Sequence, residues 1–373
     1  MHNYAHWLVN FLEWAQAREV NLQSCCYIQH LQQGYQEEML CGTWSVSGQG
    51  LRPSTVNYRV QQACDFLTWM SDKGLRDAFD VSTQNLRVRV DSATGPAGYR
   101  IKEVISRLGK VRQSKHRLRM PTDQEVIAWL SSVYKNSGEA LGLACETILL
   151  TGLRLQETVS LRMDTLPDDR REWHFTNPDA PISDQQVLVR VSFGAKGPDY
   201  GLENGDKVGP ERRILIPYVL AEKWDDYRCR KRNPALKLWI NDAKSLAERK
   251  DRISGAVHLF RNERTGARLT ADNLYRAWKK AVLPFPNWSP HLGRDWWACK
   301  TLLREVERHE YLRKYGHSVA SELIESSGRT IIQMRIQPQL GHKQEGTCLI
   351  YLQWVMDRMG VALSLPYEAA LEE

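Results

Sequence analysis

The sequence predicts a mainly α-helical protein with one small β-sheet, divided into two domains. Three observations predict it. A chain of 373 residues exceeds one core of ordinary size; apolar residues recur at helical spacing along most of it; and the only strand-like runs are two short clusters of branched residues around a Gly, Pro and Asp-rich excursion. Hydrophobic residues make up 42% and charged residues 25%, the balance of a soluble globular protein.

From Tyr4 to Lys73 the pattern is helical. Trp7, Leu8, Phe11 and Leu12 form one apolar stripe, and Val56, Val60, Ala63, Leu67 and Met70 form another. The second helix has Ser54 or Thr55 as N-cap and Gly74 as its stop, and Gly42 to Pro53 reads as the loop before it. Residues 1–99 are therefore expected to be a helical bundle. A new unit, 120–373, starts at Thr122-Asp-Gln-Glu125, a capping box that leads into Val126, Ile127, Trp129 and Leu130. Next comes a helix from Glu139 to Leu150, stopped by Gly152, and a further helical run from Leu155 to Leu161 that places Arg154 at a helix start. Val187 to Phe193 and Arg213 to Ile216 form a hairpin with a long loop, and from Leu236 the chain is again mainly helical.

No run of 18 apolar residues occurs, and polar residues interrupt the first nineteen positions, so a membrane segment or signal peptide is not expected and a cytoplasmic, nucleoid-associated location is. The eight cysteines include no C-x-x-C pair, which predicts buried thiols and no metal. Core packing accounts for most of the thirteen tryptophans. The net charge is +7, and the stretch 100–119 alone carries that much: Arg100, Lys102, Arg107, Lys110, Arg112, Lys115, Arg117 and Arg119 stand against Glu103. It reads either as a solvated helix face or as a basic interdomain linker that tracks phosphates.

Four segments of the second unit carry chemistry: Thr151-Gly-Leu-Arg154-Leu-Gln-Glu157, Gly194-Ala-Lys196-Gly197, His291-Leu-Gly-Arg294, and Leu340-Gly-His342 with Tyr351 nine residues on. In this order and spacing they resemble the boxes of the tyrosine recombinases, or phage-type integrases, from about Met120 to Met359. Leu51-Arg-Pro-Ser-Thr-Val-Asn-Tyr58 through Gly74 looks more weakly like that family's core-DNA-binding domain. The resemblance implies a SAM-like helical domain and a catalytic domain that clamp DNA as a C. It also implies a site-specific recombinase that cleaves and rejoins DNA through a 3′-phosphotyrosyl intermediate, without metal, ATP or other cofactor. The partners implied are double-stranded recombination sites, a homotetramer docked through Leu352 to Glu373, and accessory DNA-bending or directionality proteins. A separate arm-binding domain before the bundle is not expected.

The chemistry accounts for the residue types. Cleaving a phosphodiester builds negative charge on the non-bridging oxygens, which forked, permanently charged arginines stabilise. The resemblance gives that role to Arg154 and Arg294, with a salt bridge from Arg154 to Glu157 as the ordinary alternative. Tyr351 would attack phosphorus; Cys348, Leu352, Val355 and Met359 make an apolar stripe beside it, and its own ring is expected to point off that stripe. Lys196, or Lys207 in its place, would protonate the departing 5′ oxygen, while His291 and His342 would hydrogen-bond the phosphate or assist proton transfer.

Two departures stand out. The usual H-x-L-R-H box has Gly293 in place of leucine and Asp295 in place of the last histidine. In addition, 48 residues separate Arg294 from His342, which implies an insertion in 299–329 whose charged run Arg304 to Tyr315 contacts DNA or a partner, or is simply solvated. A type IB topoisomerase and a DNA-binding regulator with decayed catalysis are the alternatives.

Overall fold

The structure is a computed structural model that describes residues 2–91, 99–112, 117–195, 201–308, 317–342 and 345–359. The described residues are mostly helical with two small sheets, and the chain divides into two compact units, Met1–His116 and Arg117–Glu373.

In the first unit, α1 (His2–Ala17) and α3 (Pro53–Asp72) pack with a wide-wound helix, Tyr27–Gln36, that continues as α2 (Glu37–Cys41). Of the expected α3 stripe, Val56, Val60, Ala63 and Leu67 are fully buried, against Phe11, Leu31, Tyr35 and Met39, and Met70 is partly buried at its end. The N-cap is Arg52 instead of Ser54 or Thr55, because Pro53 has its ring-fixed φ at the first helical position.

The expected linker 100–119 is corrected. Strand β2 (Tyr99–Arg107) pairs antiparallel with β1 (Thr83–Asp91), from Thr83 opposite Arg107 to Asp91 opposite Tyr99, so the first unit is not purely helical and its boundary lies at 116 instead of 99. Ile101, Val104 and Ile105 supply the branched residues a strand favours, and the dense basic charge masks that pattern. Arg107 is buried and donates to Tyr27 Oη (2.8 Å), Gln36 Oε1 (2.9 Å) and Asn57 Oδ1 (3.2 Å), so it ties the strand end to the bundle and is no phosphate contact. Asn57 continues the seam, donating to the Val111 carbonyl (2.9 Å) and accepting from the Val111 amide (3.0 Å). Lys110, Arg112, Arg117 and Arg119 are exposed, and Arg119 lies over the Phe285 ring at 5.1 Å. Arg100 and Lys102 lie on β2, their side chains outside the described set, as is Lys115.

The second unit opens with α4 (Asp123–Ser137), whose predicted box is formed: the Glu125 amide donates to Thr122 Oγ1 (3.3 Å) and the Thr122 amide to Glu125 Oε2 (2.8 Å). Helix α5 (Glu139–Thr151) is buried nearly all round, as befits the centre of a core. It is followed by α6 (Leu155–Val159), then β3 (Gln186–Phe193), β4 (Leu202–Glu203) and β5 (Asp206–Pro217) in the sheet order β3-β5-β4, with Val187 opposite Ile216. Helices α7 (Tyr218–Tyr227), α8 (Asn233–Asn241), α9 (Leu246–Ser254) and α10 (Ala271–Lys280) complete this part, whose core holds Trp129, Trp224, Trp278 and Trp288. A second cluster joins α11 (Pro290–Arg308), α12 (His317–Ile331), α13 (Gln337–Leu340) and α14 (Leu349–Arg358).

Of residues 299–329, where an insertion is expected, 299–308 end α11 and 317–329 lie in α12, while 309–316 lie outside the described residues. Two further expectations change. Within the segment Leu352 to Glu373, which the resemblance gives to subunit docking, Val355 and Met356 are buried in their own chain because α14 packs on α11 and α12, and 360–373 lie outside the described residues. Of the eight thiols, Cys26, Cys41 and Cys229 are exposed.

Candidate active site

The Thr-Gly-Leu-Arg turn starts from how α5 ends. Gly152 adopts φ +66°, and a side chain there would press on the Trp297 ring (2.7 Å) and Leu340 (2.8 Å), so only glycine closes the helix against α11 and α13. Thr151 Oγ1 accepts from the Leu153 amide at 3.2 Å and fixes the exit of the chain. Arg154 becomes the N-cap of α6, and its amide is taken by Glu157 Oε2 at 2.8 Å, so this N–H is not left for an anion.

Glu157 is fully buried and serves as a hub. Arg212, from β5, grips it with two hydrogen bonds of 2.6 and 2.8 Å; Arg154 Nη1 lies 3.1 Å from Oε1, and Arg294 Nη1 lies 3.9 Å from Oε2. Burial alone would raise its pKa, but the bonds and charge of Arg212 and Arg154 hold it below the usual carboxylate value. The salt bridge weighed as an alternative for Arg154 therefore forms, and it orients the guanidinium, which stays partly exposed.

Arg294 is buried. Its Nη1 donates to the Gly152 carbonyl (2.6 Å), its Nη2 to the Leu340 carbonyl, and Nη2 lies 3.1 Å from His342 Nε2. Desolvation first, then the nearby Arg154, lowers its pKa to about 10, so it remains charged at neutral pH. A guanidinium can only donate, so His342 Nε2 accepts and the ring proton belongs on Nδ1, which faces Cys348 Sγ at 3.2 Å. Burial, then the charges of Arg294 and Arg154, lower His342 to about 4 and keep it neutral.

Tyr351 differs from expectation. Its ring does not point off the α14 stripe but is buried with Cys348, Leu352 and Val355, and its hydroxyl donates to Asp295 Oδ1 at 2.7 Å. A buried hydroxyl needs a partner, and α11 supplies one. Desolvation, then the Asp295 charge, raises the phenol pKa well above its ordinary value, while Arg294 pulls it down. His291 is largely exposed, with Nε2 4.0 Å from Asp295 Oδ2. Arg154, Arg294, His342 and Tyr351 thus stand in one cluster, with His291 at its rim. Lys196 lies outside the described residues, and Lys207 is exposed on β5. Three guanidiniums against two carboxylates leave the cluster positively charged, which suits an anion.

No protein-family model and no curated protein matches the chain. Among solved structures, the Tn1549 transposon integrase in complex with transposon right end DNA superposes with a TM-score of 0.50 at 14% identity, covering 100% of this chain and 93% of that one. The chain has the tyrosine recombinase fold. The XerH site-specific recombinase bound to palindromic difH substrate is 16% identical, with a TM-score of 0.48 over 100% of this chain and 80% of that one.

On this tyrosine recombinase fold, sequence reasoning missed three residues that build the cluster. Arg212 was legible: strand alternation puts it on the face of Ile214 and Ile216, both buried, where an arginine needs an acidic partner. Gln339 gave no signal, yet it binds three segments together. Its Nε2 donates to the carbonyls of Thr151 (3.0 Å) and Leu215 (2.8 Å), its Oε1 accepts from the Leu215 amide (2.9 Å), and its carbonyl accepts from Arg212 Nε (3.0 Å), which sets the position of Gly341-His342. Asp295 was noticed only as a departure from pattern. Gly293, the other departure, has a packing cause: a side chain there would overlap the Trp278 indole.

Proposed function

We propose that this protein is a site-specific DNA recombinase or integrase that cleaves one strand with Tyr351 and rejoins it through a 3′-phosphotyrosyl link. The observation that carries this reading is the meeting of Arg154 and Arg294 at Glu157, with His342 bonded to Arg294 and the Tyr351 hydroxyl bonded to the residue next to Arg294. Arg154 is the guanidinium turned towards solvent and would grip the scissile phosphate. Arg294, fixed by two carbonyls, would add fixed positive charge behind it and, second to burial, help keep His342 neutral. Tyr351 Oη would attack phosphorus and the 5′ oxygen would leave with a proton from Lys196, or from Lys207. The bond energy stays in the phosphotyrosyl ester, so rejoining needs no ATP, and chelators should leave the activity unchanged.

Lys110, Arg112, Arg117 and Arg119 would contact backbone phosphates and make binding steeply salt-dependent. Assembly as a tetramer on paired sites, with accessory DNA-bending or directionality proteins, belongs to the same proposal. The burial of Tyr351 favours a second reading, a DNA-binding regulator that no longer cleaves. A plasmid carrying two candidate attachment sites tests both. Recombination that requires both sites supports the proposal; relaxation without any site points to a topoisomerase, and binding with neither to the regulator.

A further inference from the structure

We propose that Asp295 is the proton acceptor for Tyr351: its carboxylate takes the phenolic proton as Oη attacks phosphorus and returns it when the strand is rejoined. This rests on the proposed role of Tyr351 and adds the group that activates it.

A phenol ionises near pH 10 in water and is a weak nucleophile at neutral pH, so it needs a base or strong electrostatic help. The first requirement for a base is reach, and Oη donates to Asp295 Oδ1 at 2.7 Å, inside the range for direct proton transfer. Both groups are buried, so water does not readily compete for the proton. The charges facing the pair come from three directions. His291, Arg294 and Cys299 lie along α11, Cys348 precedes α14, and Arg154, His342 and Arg212 stand around Arg294. Among the groups whose influence on the phenol is resolved, Arg294 is the one that favours its ionised form.

His342 is a poorer candidate. Its Nε2 already accepts from Arg294, and its Nδ1 faces Cys348. Asp295 also suits the charge balance. An ionised carboxylate beside the phosphate would repel the charge that builds there, and protonation removes that repulsion as the new bond forms. In the forward step the Oη–P bond forms, the P–O5′ bond breaks, the Oη proton moves to Asp295, and the 5′ oxygen takes a proton from the cationic lysine. Rejoining reverses each transfer. The departure from the histidine pattern at this position is then a substitution of one proton acceptor by another.

The test is single-turnover formation of the covalent adduct on a nicked suicide substrate between pH 6 and pH 9, with DNA binding measured in parallel. Wild type is compared with Asp295→Asn, which keeps the shape but cannot accept the proton, and with Asp295→Glu, which can. We expect Asp295→Asn to bind DNA as wild type does and to cleave about a hundredfold more slowly at neutral pH. That ratio should shrink as pH rises and hydroxide replaces the missing acceptor, while Asp295→Glu should retain the wild-type profile at reduced rate. A ratio that stays constant with pH, an Asp295→Glu defect as large as that of Asp295→Asn, or an asparagine variant faster than wild type overturns the proposal. An absence of adduct in wild type would instead sink the reading of Tyr351 itself, and with it this one.

Discussion

Arg294 Nη2 lies 3.1 Å from His342 Nε2, and burial, reinforced by this permanent cation, holds the imidazole in its neutral form. Two boxes 48 residues apart in sequence are joined by this contact, and it has a consequence for stability.

Because His342 falls from 6.5 to about 4 in the folded protein, the unfolded chain binds a proton there that the native chain refuses. The contribution of His342 is therefore present above about pH 6.5 and is lost as pH falls towards 4. We expect urea midpoints to drop between pH 7 and pH 5, and to drop less in His342→Gln. Equal slopes for both proteins would show that His342 is not held neutral.

Glu157 neutralises Arg212 and Arg154 without access to water. Removing one partner of a buried ion pair leaves the others uncompensated, so Glu157→Gln should cost about 3 kcal/mol in denaturant unfolding. A loss below about 1 kcal/mol would mean the guanidiniums are solvated after all.

Arg154 and Arg294 should separate. Arg154→Ala removes a partly exposed guanidinium, and we expect near-native stability and DNA affinity with cleavage reduced about a thousandfold. Arg294→Ala also strips the donors from the Gly152 and Leu340 carbonyls, which should cost a further ~2 kcal/mol of stability. Identical melting and cleavage behaviour in the two variants would contradict this division.

Gly293 tests whether the altered box is decay or packing. Leucine there, as in the usual pattern, would overlap the Trp278 indole, and Gly293→Leu should destabilise by about 2 kcal/mol or more. A neutral substitution would remove the packing explanation.

Much of this was legible in the sequence, and the failures have physical causes. Local signals carried the capping box at Thr122, the stop at Gly152 and the hairpin of Val187 to Phe193 with Arg213 to Ile216, because each depends on neighbours in sequence or on strand alternation. Tyr351 was misplaced because helical spacing describes a stripe, whereas α14 is covered over a wider arc by α11 and α12, and a hydroxyl can be buried once Asp295 accepts its hydrogen bond. Arg107 was counted with its basic neighbours because charge density does not reveal that Tyr27, Gln36 and Asn57 surround one of them. Gln339 could not be foreseen, since its four bonds all go to backbone or side chains more than a hundred residues away.

The most direct measurement is to trap the protein on a nicked DNA substrate bearing a candidate site, digest the adduct, and identify the modified peptide by mass spectrometry. We expect a single nucleotide-bearing peptide that contains Tyr351, joined through a 3′ phosphate, and no adduct from Tyr351→Phe. An adduct on another residue, or one that persists in Tyr351→Phe, would contradict the assignment of Tyr351 as the group that attacks DNA.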